Sequence, residues 1–149
     1  MRSNKPWIIA SVAMICLIWG NSLVPGSGSG SLSLTVMNAI HGFLGAFGLP
    51  YAWVTNFVVR KCAHFTEYAI LGILVTHAVD IDRKLRPHAI ALAAMVLVAV
   101  PSIDETIQTH VAGRCGQVSD VVLDCCGAFA GSLLRYWYGW ARGRKKVSG

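Results

Sequence analysis

Apolar residues gather in four runs, at about 7–24, 60–79, 88–103 and 121–138, with polar stretches between them. A helix needs roughly 20 mostly apolar residues to cross about 30 Å of hydrocarbon, so each run predicts a transmembrane helix. The third is short enough that Pro87 and the Asp104-Glu105 pair are expected at its two interfaces. Between the first and second runs, Leu32, Val36, Ile40, Phe43, Leu44 and Phe47 recur at helical spacing, weakened by Asn38, His41 and several glycines. That pattern predicts an interfacial or re-entrant helix in the first outer loop, with Tyr51 and Trp53 at headgroup level and His41 a wet interfacial residue rather than a ligand. Just before it, Pro25-Gly-Ser-Gly-Ser-Gly-Ser31 buries nothing and predicts a flexible linker over 25–31. The expected fold is an all-α integral membrane protein, a single domain over 1–149 with four transmembrane helices, the interfacial helix and a basic tail over 139–149.

Composition agrees with the pattern. At 54% hydrophobic and 13% charged, the chain is too apolar for an ordinary soluble domain, and 149 residues are just enough for four spans with short connections. Arg2 and Lys5 imitate a secretory signal, yet no small-x-small cleavage site closes the first run, which is read as a retained span. The net charge of +6 does not imply nucleic acid. Arg135, Arg142, Arg144, Lys145 and Lys146 alternate with Trp137, Tyr138 and Trp140, the composition of an aromatic belt and a lipid anchor. Lys and Arg collect in short cytoplasmic segments, so both termini are expected inside a bacterial cytoplasmic membrane, together with the Arg83, Lys84, Arg86 loop. This leaves Arg60, Lys61 and Arg114 outside, where they are interleaved with acids.

The five cysteines, at 16, 62, 115, 125 and 126, lack Cys-x-x-Cys spacing, which argues against structural zinc. Cys16, Cys125 and Cys126 fall in spans as small packing residues, while Cys62 and Cys115 share the outer side, where pairing is chemically allowed. Gly127 and Gly131 form a small-x-x-x-small pair suited to close helix approach, either within the chain or in a homo-oligomer.

The candidate chemistry sits at one end of these spans. At 3.6 residues per turn, Arg60, His64 and Glu67 share one side of a helix, as do Lys61, His64 and Tyr68. Asp104 and Gln108 are four apart, as are Asp120 and Asp124, and Glu105 and Arg114 complete the set. One reading is mutual satisfaction, with Arg60 or Arg114 paired to Glu67, Asp104 or Asp120 to fix helix register. The other is a site, since an ionisable residue at membrane depth is costly to keep without a purpose. Arg60, Lys61 and Arg114 suit an anionic headgroup, held among His64, Glu67, Tyr68, Asp104, Glu105, Gln108, Asp120 and Asp124. Alternatively, His64, Glu67, Asp104 and Glu105 are candidate catalytic groups of an enzyme, with His64 as acid or base. In that enzyme reading the carboxylates bind a metal or activate water. The acids with His64 could hold a divalent cation, but Asp-x-x-x-Asp and Asp-Glu are weak signals, so no metal residue is assigned and no cofactor is named. Ser119 reads as the N-cap of the last span rather than a nucleophile.

These residues resemble the VanZ-like family of small bacterial membrane proteins. The family pattern Arg-Lys-x-x-His-x-x-Glu-Tyr is met by Arg60, Lys61, His64, Glu67 and Tyr68, and Asp-Glu-x-x-Gln by Asp104, Glu105 and Gln108. Gly-Arg followed by Asp six positions after the Arg is met by Gly113, Arg114 and Asp120. In the following Asn-x-x-Gly, Gly127 is present but Asp124 stands at the Asn position, adding a negative charge. Asn21-Ser22 is a weaker match to a polar pair ending the family's first span. The resemblance implies a four-span membrane protein and protection against lipid-bearing glycopeptides such as teicoplanin. The partners it implies are membrane lipids, a lipid-linked envelope precursor or the lipoglycopeptide itself.

Overall fold

The computed structural model describes residues 3–145. The side chains of Arg2 and of residues 142–149, which include most of the expected basic anchor, lie outside the described residues. Five helices and no strand occur among the described residues: α1 (Lys5–Ser22), α2 (Gly26–Ala46), α3 (Asn56–Val79), α4 (Pro87–Thr109) and α5 (Val118–Lys145). Two of them, α3 and α4, are long and apolar enough to cross a membrane. The bent pair α1 and α2 makes a third if counted as one broken span. α5 is longer than either, but Asp120, Asp124 and Arg135 dilute its apolar content.

Local chemistry explains most boundaries. Pro6 and Pro87 sit in the first turns of α1 and α4, where a missing N–H costs nothing. Thr55 caps α3, its side chain accepting from Val58 N at 3.2 Å. Pro101 lies inside α4 and removes the hydrogen bond to the Leu97 carbonyl, toward which Cys125 Sγ donates at 3.8 Å.

Two expectations about the first outer loop change. Residues 26–31 are not a flexible linker but the opening turns of α2, which leaves α1 at 106° after Pro25. Gly26 N donates to Ala112 O at 3.0 Å, and a β-carbon on Gly26 would overlap the Gly113 carbonyl, so glycine is needed there for close approach. His41 is half-buried against Tyr51 and bonded through Nε2 to Val54 O at 2.7 Å, tying α2 to the segment before α3.

The principal seam joins α3 to α5. A β-carbon on Gly72 would collide with the Ala128 carbonyl, one on Gly127 with that of Phe65, and one on Gly131 with that of Ala69. The small pair Gly127 and Gly131 therefore packs within the chain against α3, one of the two alternatives its spacing left open. Around this seam Ile18, Tyr68, Leu71, Val75, Leu97 and Val100 form the buried core. Apolar side chains such as Ile9, Leu32, Met95 and Phe129 face outward.

At the end of the bundle opposite the polar segments, Asp80 caps α3. Its carboxylate accepts from Lys84 N, Leu85 N and Tyr136 Oη at 2.9, 3.0 and 2.9 Å. Arg135, buried, donates to the Asp80 carbonyl and lies over the Tyr136 ring, so it holds this cap rather than a lipid headgroup. Burial pushes the Asp80 carboxyl up, but these donors and the Arg135 charge pull it further down, leaving it below its ordinary value.

Candidate functional site

The three polar segments meet at one end of the bundle, where α1 and α4 finish and α3 and α5 begin. Helical periodicity on α3 turns His64 and Tyr68 toward α4 and α5, and Glu67 toward α1. α4 runs past residue 103 to Thr109, so Asp104, Glu105 and Gln108 are carried on one continuous helix and are buried rather than interfacial. α5 starts at Val118. The expected N-cap role of Ser119 is not seen, since Ser119 Oγ bonds Gln117 Oε1 and Asp120 Oδ1, both at 3.3 Å, and the Gln117 carbonyl accepts from Asp120 N at 2.9 Å.

At the centre is a cluster that none of the spacings announced. One ligand atom each from His64, Asp104, Glu105 and Asp124 lies within 4.8 Å of all the others. Asp104 and Asp124 have no solvent exposure, and Glu105 is 4% exposed. Gln108 Nε2 reaches Asp104 Oδ2 at 3.2 Å, Glu105 Oε1 at 3.0 Å and Ser22 Oγ at 3.3 Å, while the Gln117 amide donates to Glu105 Oε2 at 2.8 Å. His64 Nδ1 stands 3.7 Å from Asp124 Oδ1. Five atoms here have no hydrogen-bond partner among the described residues: His64 Nδ1, Asp104 Oδ1, both carboxylate oxygens of Asp124, and the hydroxyl of the fully buried Tyr68. Leaving a buried polar atom unmatched costs about 1–3 kcal/mol, so five at one point are not packing accidents.

The cations are placed differently from expectation. Lys61 pairs directly with Asp120 at the edge of the cluster. Arg114 pairs with no carboxylate. It donates from Nε to Val24 O at 2.7 Å and from Nη2 to Asn21 O at 2.8 Å, and so caps the carbonyl end of α1. Burial and the neighbouring charge of Arg60 both draw the Arg114 guanidinium below its ordinary value. Glu67 accepts from Asn21 Nδ2 at 3.2 Å rather than from an arginine. Asn21 and Ser22, which the sequence offered only as a weak pair, are therefore direct partners of Glu67, Arg114 and Gln108. Cys62 and Cys115 are both exposed and unpaired.

Beside the cluster lies a cavity of about 670 Å³ between α1, α2 and α3. Its wall is mainly apolar, including Leu32, Val36 and Ile40 of α2 and Val58 of α3, while Arg60, His64, Glu67 and Arg114 bring charge to it. His64 belongs to both the cavity wall and the buried cluster. The arrangement offers an apolar chamber, two guanidinium groups and a histidine backed by three carboxylates.

A family model described as VanZ/LLP1 matches residues 7–139. No curated protein and no solved structure matches the chain. The matched stretch runs from α1 to α5 and takes in every residue of the cluster and the cavity wall, as the motifs around Arg60, Asp104 and Arg114 led one to expect. The chain belongs to the VanZ/LLP1 family.

Proposed function

We propose that this protein spans the bacterial cytoplasmic membrane four times, with both termini inside. On this reading it binds, at the outer face, an amphiphile with an anionic headgroup: an envelope lipid or a lipid-bearing glycopeptide. The observation that carries the reading is the cavity, whose apolar wall along α2 and α3 suits an acyl chain and whose Arg60 and Arg114 suit a phosphate or carboxylate. By changing the availability of that amphiphile, the protein contributes to teicoplanin-type resistance. Mass spectrometry of lipid co-purified with the full chain tests the binding. A defined anionic lipid should be retained by the wild type and lost from Arg60→Gln. Retention of only bulk membrane lipid, in the same proportions by both proteins, would reject the headgroup reading. In a susceptible Gram-positive host, expression should raise tolerance to teicoplanin more than to vancomycin, which lacks the acyl chain. An equal effect on both drugs would count against recognition through lipid.

A second reading is favoured by one specific feature, the approach of His64 to the wholly buried Asp124 at the cavity wall. A histidine held by a carboxylate can take or give a proton, which suits a membrane-embedded hydrolase or transferase acting on a lipid-linked envelope precursor. Under that reading His64→Gln abolishes turnover of the bound lipid yet leaves its retention intact.

A further inference from the structure

We propose that His64, Asp104, Glu105 and Asp124 form a binding site for one divalent metal cation, with Mn²⁺ as the representative ion. Four ligand atoms lie within 4.8 Å of one another, about twice a metal–ligand bond of roughly 2.1–2.4 Å, so small side-chain shifts bring them around one divalent ion. Three carboxylates and one imidazole make a hard to borderline donor set, which favours Mn²⁺-like cations over thiophilic ones. The neighbouring thiol of Cys125 is directed elsewhere, toward the Leu97 carbonyl.

Charge balance gives the independent argument. Lys61 is committed to Asp120 and Arg114 to backbone carbonyls, and no Lys or Arg side chain, Arg60 included, is seen bonded to the three buried acids among the described residues. Neither oxygen of Asp124 and not Oδ1 of Asp104 has a hydrogen-bond partner among the described residues, which leaves their lone pairs open to a cation. The other carboxylate oxygens are held from outside the cluster. Gln108 takes Asp104 Oδ2 and Glu105 Oε1, and the Gln117 amide takes Glu105 Oε2, the support that orients metal-ligating carboxylates. The unpartnered Tyr68 hydroxyl, beside Asp104 and Asp124, is placed to hold a water on the cation.

His64 also lines the cavity, so the cation would lie beside the chamber that receives the amphiphile and take an oxygen of its headgroup. That role rests on the headgroup reading above, whereas metal binding itself does not. The test uses the full chain in detergent, stripped with a chelator and titrated with Mn²⁺, with free ion read by electron paramagnetic resonance. One Mn²⁺ should bind per chain. Asp104→Asn and Asp124→Asn should each weaken it at least about tenfold, and Gln108→Leu roughly 10- to 100-fold. Asp82→Asn, in the exposed loop at the opposite end of the bundle, should leave the affinity unchanged. Should the buried variants fail to insert, the wild type alone decides, because bound Mn²⁺ must show nitrogen hyperfine coupling that His64→Gln removes. No stoichiometric Mn²⁺ on the wild type, no nitrogen coupling, or equal weakening by Asp82→Asn and Asp124→Asn would each overturn the site. A wild type that retains its lipid but binds no Mn²⁺ would overturn the metal site and leave the headgroup reading standing. Bound Mn²⁺ with lipid indifferent to Arg60→Gln would support the metal site and reject the headgroup reading.

Discussion

At the scale of single residues, Arg114 carries the clearest prediction. Its partners are two carbonyls at the end of α1, and a lysine has one nitrogen where the guanidinium uses two. Arg114→Lys should cost about 1–3 kcal/mol of stability, read by thermal unfolding in detergent. Because no acid is its partner, pairing Arg114→Gln with Asp104→Asn should restore nothing, and a double-mutant cycle with zero coupling would show it. Asp80 carries a second prediction, at the other end of the bundle. Its carboxyl is lower in the folded protein than in the unfolded chain, so the stability it adds is present above the ordinary carboxylate range and disappears as pH falls through the lowered value. Asp80→Asn should unfold at a lower temperature than the wild type at pH 7, by about 1.5–3 kcal/mol for lost bonds to a charged group, and the two should converge on acidification below about pH 4. Sequence spacing was enough to put His64, Glu67 and Tyr68 on a common helical turn and to single out Asp104, Glu105 and Gln108. It did not reveal that Arg114 serves carbonyls, because a helix end exposes the same backbone atoms whatever its side chains. Nor did it reveal the ligand cluster, whose four members come from three helices with only Asp104 and Glu105 adjacent in the chain.

At the scale of elements, the α3 and α5 seam is governed by glycine. Gly131→Ala places a methyl group where the Ala69 carbonyl stands, and the helices must part, costing roughly 1–3 kcal/mol or more. Gly20→Ala, in α1 with nothing near its new β-carbon, should instead be neutral or stabilising by up to about 1 kcal/mol. Equal effects of the two on unfolding temperature would show that helix propensity rather than close packing sets the glycine pattern. The apolar runs located α1, α3, α4 and α5 to within a few residues at most of their ends. The misjudged stretch was 25–31, where alternating glycine and serine argue against helix in water. Here Pro25 opens the helix, Gly26 is pinned to Ala112, and α2 lies along α3, so tertiary contacts override a weak local preference. The end of α4 was also set too short, because charge was taken to mark an interface, whereas Asp104 and Glu105 are buried.

For the whole molecule, orientation is the property to measure. A chain in which native Cys115, exposed at the site end, is the sole cysteine should react in intact cells with an impermeant thiol reagent. A cysteine-free chain carrying Lys84→Cys, at the opposite end, should react only after lysis. The reverse pattern would turn the site toward the cytoplasm and remove the basis for contact with external glycopeptides. The α3 and α5 seam also bears on how the protein is made. Helices leave the ribosome in order, so α3 and α4 emerge with His64, Asp104 and Glu105 before α5 brings out Asp124. Until α5 slides its glycines against Phe65 and Ala69, two acids and a histidine must wait without their fourth companion. Completion of the cluster is thus gated by α5, and an insertase or chaperone that shelters polar residues during translation would matter for this protein.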